Sequence, residues 1–427
     1  MLPDEKILIL FTLNRSTEKL TVISIQSLAC LFSQRHGSLN LEIMRLINNI
    51  SVSFLLMLAL SCVKPFSPNI ESDMENKYVV SGKISGIGGW QEVSISMSSP
   101  IGEPEFIPVF GCQIRVLDNN GNSYLLEESM DGIYRTWIGE ENLTYGTSFK
   151  IEVYTPDGMA IESTFDTLIQ GPSIDSVYYH IEEVASADPT ILITGMQFYA
   201  DLNASAYESR YYKWDILETW EYHAARPAEN YYDGSFHQII PPDYSNKICW
   251  MTKLVKNVYT VSTNNLVQNV YRLYPLHFVD GHTSRLGIRY SILVTQQTLS
   301  EDAYNYWEKV RINSTEQGGL YEKQPIAIKG NLKNITNPEK EVLGYFYVAS
   351  ESSKRLFFSN IDEVELNFTD FCNEEGLGRK GWQEYSPRDY PVYYYINQQK
   401  VLRILSTECV DCRILGGTTT KPSFWPR

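Results

Sequence analysis

The chain has 427 residues, of which 43% are hydrophobic and 13% aromatic, with 29 tyrosines. Its net charge of −15, with no cluster of Lys and Arg along the sequence, argues against a nucleic-acid partner, whose phosphates require concentrated positive charge. Abundant Tyr, Trp, Val, Ile and Thr favour strands, and the length suggests two domains, or three, of mostly β structure.

The first informative stretch is "MRLINNISVSFLLMLALSCVKPFSP", from Met44 to Pro68. Met44 and Arg45 form a short positive region, and Ile50 to Ser61 is an uncharged, mostly apolar run. That run is too short to span a bilayer and matches the core of a signal peptide. Ala59, Ser61 and then Cys62 resemble a bacterial lipobox, in which the thiol takes a diacylglycerol and becomes the first mature residue. Ala59 stands where the commonest lipobox has leucine; an ordinary signal peptide with an incidental Cys62, or a buried helix, is the plainer alternative. Residues 1–43 carry Asp4, Glu5, Lys6, Glu18 and Lys19 between apolar pieces and read as a gene-start overcall. The expected division is thus 1–43 upstream, 44–61 leader, and 62–76 a Pro-, Ser- and acid-rich tether. No later run is long and apolar enough to cross a membrane, so attachment would come from lipid on Cys62.

From residue 77 to 168 short strands follow closely: "YVVSGKIS", "QEVSISMSS", "GCQIRVLD", "SYLLEES", "GIYRTW" and "SFKIEVYTPDG". Asp118-Asn119-Asn120-Gly121 and Pro156-Asp157-Gly158 are turn signals. About seven strands in so short a stretch predict a sandwich of immunoglobulin or transthyretin type. Gly171-Pro172-Ser173 marks a boundary, and residues 172–427 are expected to form a larger β-rich domain.

In that domain "RYYKWDILETWEYHA" mostly alternates with a period of two. Tyr212, Trp214, Ile216, Trp220 and Tyr222 share one side, while Lys213, Asp215, Thr219, Glu221 and His223 share the other. "LGIRYSILVTQQ" repeats the pattern, and "GYFYVAS", "RLFFSN" and the hairpin-like "PVYYYINQQKVLRILS" add strands. A helix over 300–312 is predicted, with Ser300 as N-cap, Glu301 and Asp302 in the first turn, and Ala303, Tyr306, Trp307 and Val310 on one face. Residues 313–340 read as polar loop.

Seven cysteines are present. Cys30 lies upstream, Cys62 is assigned to lipid, and Cys112 shares the inward period of Ile114 and Val116, as a small buried hydrophobe does. Cys249, Cys372, Cys409 and Cys412 remain, an even set that an exporting cell oxidises; three pairings are open. Cys409 and Cys412 also have the spacing of half a zinc site, but no second pair accompanies them, and disulfides are the preferred reading.

No catalytic motif is found, and no metal or cofactor is expected. His277 and His282 flank Asp280 at a spacing that fits neither a helix face nor a strand face, so loop or packing roles are favoured. Trp214, Trp220, Trp250 and the run Tyr231-Tyr232-Asp233-Gly234 are candidates for a stacking platform. The period of Trp214 and Trp220 makes core filling the better account of those two. Tyr231 and Tyr232 lie in a Pro-, Asn- and Gly-rich stretch, 227–246, read as a loop whose aromatics contact a ligand or partner.

Several stretches together carry a family likeness: "CVKPFSP", "KYVVSGKIS", "ETWEYHA", "ENYYDGSF", "ICW", "PLHFVDGHTSRLGIRYSILVTQQTLSEDAYNYWE", "VLGYFYVAS" and "CVDCRILGGTTTKPSFW". The chain resembles, over essentially all of 62–427, the Bacteroidetes lipoproteins of the domain of unknown function 4249 family. Members begin at a leader like Met44–Ser61 and are encoded beside TonB-dependent outer-membrane receptors. The resemblance implies an outer-membrane lipoprotein of the cell envelope, anchored through Cys62. It would be a non-catalytic binding or docking accessory of nutrient uptake, with a TonB-dependent receptor as partner. A lipid-anchored secreted enzyme, whose carboxylates or histidines would converge in a cleft, and an adhesin are the alternatives.

Overall fold

The structure is a computed structural model that describes residues 76–99, 105–186, 188, 190–315, 328–359, 361, 363–364, 366 and 371–426. Cys30, Cys62, the leader and most of the tether lie outside the described residues.

The fold is mostly β, with several sheets in a large β-rich body. One hydrogen-bonded path joins twelve strands in the order Ile248–Leu254, Tyr211–His223, Arg289–Thr298, Leu343–Ser359, Tyr78–Ser85, Gly89–Met97, Ile133–Ile138, Ser123–Met130, Gln113–Asp118, Ser148–Tyr154, Ala160–Ser163 and Leu332–Asn334. Its second half curls over a core of Val80, Ile84, Val93, Ile95, Ile114, Val116, Phe149 and Ile151, and this is the first sandwich. Period-two patterning places those apolar positions on the inner side, as in "QIRVLD", where Ile114 and Val116 are buried and Gln113 and Arg115 exposed.

The strands of 77–168 do not close on themselves. Leu343–Ser359 runs parallel to Tyr78–Ser85, from Val79 opposite Leu343 to Ser85 opposite Ala349. Leu332–Asn334 adds an edge beside Ala160–Ser163. Phe346 and Val348 are fully buried in the first core. Beyond Ala349 the same strand enters the second sheet, antiparallel to Arg289–Thr298. One strand of 17 residues therefore serves both halves. Gly344 is required near its start: its φ is +95°, and a Cβ there would strike the Val80 carbonyl. Gly344→Ala is expected to lower the denaturation midpoint by about 1–3 kcal/mol of stability, because a left-handed conformation and a backbone clash coincide. A variant as stable as wild type in urea would contradict this.

The second sandwich faces the long sheet with Ser176–Ala185, Leu192–Asn203 and Val270–Asp280. Between them lie Phe198, Tyr212, Trp214, Ile216, Trp220, Tyr290, Ile292 and Val294. Trp214 stacks on Tyr274 at 4.6 Å, and Phe198 on Tyr290 at 6.1 Å. These aromatics are core.

The helix Glu301–Thr315 starts where Ser300 Oγ accepts the Ala303 N–H at 3.2 Å. It lays Ala303, Tyr306 and Trp307 on Tyr345, Tyr347 and Ala349, over the middle of the shared strand. This cover buries the first part of the side of Tyr211–His223 that alternation alone assigns to solvent. Lys213 is 3% exposed, beside Asp215 and under the Trp307 ring. Among the described residues no helix is long and apolar enough to cross a membrane.

The third sheet orders Phe236–Asp243, Ala228–Tyr232, Val392–Ile396, Leu402–Leu405 and Glu374–Gly376. Two disulfides tie it down. Cys249 bonds Cys412, and Cys372 bonds Cys409; Cys112 is free and buried. Cys409 and Cys412 thus fasten to different places, Cys412 to the second sandwich and Cys409 to a small core with Ala228, Tyr395 and Leu405.

Candidate binding face

Residues 227–246 form a hairpin, not the loop expected from composition. Ala228–Tyr232 pairs with Phe236–Asp243, and Tyr232 stands opposite Phe236 and Tyr231 opposite His237. Gly234, at φ +103°, makes the turn, and the Asp233 carboxylate accepts the Ser235 N–H and contacts His237 Nε2 at 2.9 Å. Short strands and turn-forming residues gave this hairpin a loop-like composition.

The pleat separates the two candidate tyrosines. Neighbours on a strand face opposite sides of a sheet. Tyr231 stacks flat on His237 at 4.6 Å and lines a small cavity of about 120 Å³ with Ile239, Tyr393 and Asp411. Tyr232 belongs to the other side, where aromatic rings gather. Its neighbours are Trp382 at 4.6 Å, Phe236 at 5.1 Å and Tyr390 at 5.5 Å. Trp382, carried by the short turn Gly381–Glu384, is the hub, with Phe236 at 5.1 Å, Tyr394 at 5.2 Å and Tyr385 at 6.1 Å. Phe236 is 60% exposed, so the cluster reaches solvent there. The sequence signal for it is the aromatic spacing of "GWQEYSPRDYPVYYY", which runs across several short elements.

Beside the rings runs a groove of about 280 Å³ lined by Asn373, Glu375, Tyr385, Asp389, Ser406 and Thr407, among others. The Ser386 N–H and hydroxyl, each 2.8 Å from the Asp389 carboxylate, hold it below the usual carboxylate range. Burial, then the charges of Glu384, Glu375 and Asp389, push the Tyr385 phenol up. Rings, carboxylates and an amide side by side suit stacking plus hydrogen bonding, for a sugar or a peptide segment.

Two titratable clusters lie elsewhere. On the inward side of Tyr211–His223, Glu218 is the lone charged position in the run Tyr212, Trp214, Ile216, Trp220, Tyr222. It is 6% exposed and receives Tyr290 Oη at 3.1 Å and Arg285 Nη1 at 3.2 Å, with His277 Nε2 at 3.4 Å. Burial works to raise its pKa, but the His277 and Arg285 contacts and the Tyr290 bond outweigh it, and the carboxyl sits below its ordinary range. His277 therefore has a place in the core, whereas His282 donates only its backbone N–H to Asp280, at 2.6 Å. Under the helix, Lys83 pairs with Glu351, Lys213 with Asp215, and Gln297 bridges Asp215 at 2.6 Å and Glu351 at 3.0 Å. Burial pushes the Lys213 ammonium down. Among the described residues no group of three or more His, Cys, Asp or Glu is placed to hold a metal ion.

No curated protein matches the chain. Among solved structures, it is similar to the native conformation of Escherichia coli alpha-2-macroglobulin at 11% identity and TM-score 0.17, over 53% of this chain and 13% of that one. It is similar to a DUF4785 family protein of Legionella pneumophila at 14% identity and TM-score 0.15, over 46% and 56%. A bacterial ice-binding adhesin aligns at 8% identity and TM-score 0.14, over 78% and 87%. At such scores these likenesses carry no argument. A family model does match, over residues 63–355, which takes in the first sandwich, most of the second and the first part of the shared strand. The C-terminal stretch with Cys409 and Cys412 lies beyond the match. The chain belongs to the family described as a domain of unknown function, DUF4249.

Proposed function

We propose that this protein is a non-catalytic lipoprotein of the cell envelope, anchored to the outer membrane through Cys62. In this reading it docks onto a TonB-dependent receptor and serves nutrient uptake. The observation that carries the docking role is the aromatic cluster of the third sheet, where Phe236 stands 60% exposed against the Trp382 ring. Exposed aromatics on a firm sheet cost little entropy to immobilise and are frequent anchors of interfaces. The leader-like stretch ending at Cys62 supports the anchor, and the family resemblance supports the receptor as partner.

Two measurements test it. Metabolic palmitate labelling should mark the wild-type chain and fail for Cys62→Ala; labelling of the variant would remove the anchor. Purification from native outer membrane should bring down a TonB-dependent receptor identified by mass spectrometry. Phe236→Ser should weaken that capture about tenfold, the scale of one interface anchor, while leaving the melting temperature nearly unchanged. Equal capture by both chains would remove the face from the reading.

The Glu218, His277 and Arg285 cluster is what favours the enzyme alternative, since carboxylate and imidazole do converge there. Hydrolysis of an envelope polymer by the wild type, lost in Glu218→Gln without loss of fold, would establish that reading instead.

A further inference from the structure

The chain enters the first sandwich at one end. Lys77 donates its N–H to Ser98 Oγ at 3.0 Å and accepts from the Ser98 N–H at 2.8 Å, so entry is pinned to the finish of the Gly89–Met97 strand. Strand register shows what else lies there. Met97 stands opposite Ile107, and the Val109 N–H donates to the Ile95 carbonyl, which sets Phe106 and Phe110 on either side of this end. Met130 stands opposite Ile133, and the Gly132 carbonyl accepts from the Ile95 N–H at 2.8 Å. Tyr154 faces Gln113, at the start of its strand, and Ala160, whose carbonyl accepts the Ile335 N–H.

Four separate chain segments thus present large apolar side chains around the point of entry. Phe106 and Phe110 are each 54% exposed, Met130 65%, Ile335 52% and Tyr154 42%. Single exposed apolar residues are ordinary, but five on one end form a patch. The opposite end, where Ser85 meets Ala349, is where the shared strand passes on into the second sandwich.

The reach of the tether says what this end meets. Residues 62–76 can reach at most about 50 Å when fully stretched. The Tyr78–Ser85 strand is about 26 Å long, so Lys77 can stand no further from Cys62 than about two lengths of this strand. Aromatic side chains are favoured at the headgroup boundary, apolar ones gain by burial just beneath it, and a second contact adds to a lipid anchor.

We propose that this end of the first sandwich rests on the lipid surface, with Phe106, Phe110 and Met130 seated among the headgroups. The inference rests on Cys62 being the point of attachment. Its consequence is orientation: the third sheet is held on the side away from the bilayer-facing end of the first sandwich.

The test separates contact from acylation in the cell. The chain from Cys62 to Arg427 is coupled through the Cys62 thiol to maleimide-bearing phosphatidylcholine vesicles. Hydroxyl-radical oxidation is then mapped by mass spectrometry. The reference is the same chain capped with N-ethylmaleimide and mixed with plain vesicles. Oxidation of Met130, Phe106 and Phe110 should fall several-fold on coupling, while Phe236 and the exposed pair Trp90 and Trp137, opposite each other near the far end of their strands, keep their rates. In a Phe106→Ser, Phe110→Ser, Met130→Ser chain that melts like wild type, the protection of Tyr154 should disappear. Unchanged rates at the three residues, or an equal fall at Trp90, Trp137 and Phe236, overturn the proposal. A negative palmitate result in cells would instead strike the anchor and leave the coupled-vesicle result standing.

Discussion

Replacing Cys249 and Cys412 together with alanine is expected to cost on the order of 4 kcal/mol, more than removing the other bridge. The bond spans 163 residues, against 37 for Cys372–Cys409, and a cross-link over a longer loop restricts the unfolded chain more. The native state loses as well, because Cys249 and Cys412 are fully buried in the second core. The Tyr222 hydroxyl donates to the Cys412 carbonyl at 2.8 Å and accepts the Gly417 N–H at 2.9 Å, so the end of the chain would loosen there first. Denaturant titration of wild type and variant gives the difference. Cys112 serves as an internal reporter, since a buried thiol alkylates only when the first sandwich opens. A loss below about 1 kcal/mol would show that packing alone holds this end.

Glu218→Ala is expected to cost about 3 kcal/mol, because it leaves the half-buried Arg285 and the fully buried Tyr290 hydroxyl without their acceptor. Glu218→Gln keeps the shape and removes the charge, and it isolates the pH dependence. The folded carboxyl lies below its ordinary range, so its ionised form favours folding. That contribution is complete above the unfolded value of about 4.3 and is lost as pH falls through the lower folded value. Wild type should therefore lose stability on acidification below about pH 4.3 faster than the Gln variant does, and the two curves should converge in acid. Parallel curves would mean that Glu218 is as easily protonated folded as unfolded.

What was legible in the sequence is what a short window contains. Alternation in Tyr211–His223 identified the inward tryptophans, and Ser300 with its acidic followers identified the helix start. The same window misled about Lys213, which is buried because a helix from far along the chain covers it, and about Thr219, fully buried where its hydroxyl bonds that of Thr252. The hairpin at Ala228–Asp243 was hidden because its strands are short and rich in turn formers. The aromatic cluster needs Tyr232, Phe236 and Trp382 together, two stretches about 150 residues apart, which no local period reports. Four cysteines left three pairings open, and only the fold places Cys409 and Cys412 beside different partners.

The shared strand also sets an order of assembly. The earliest strands of the chain, Tyr78–Ser85 and Gly89–Met97, pair with each other, but the other neighbour of Tyr78–Ser85 is Leu343–Ser359. Until that segment arrives, Val80, Ile84 and Val93 lack the cover that Phe346 and Val348 supply. Pairing across so long a separation is slow, since the loop entropy is spent before contacts repay it. The N-terminal half thus waits, with an open edge and uncovered apolar positions, for nearly the whole chain to be made. Truncation anywhere before residue 343 therefore leaves the earliest strands without a finished fold.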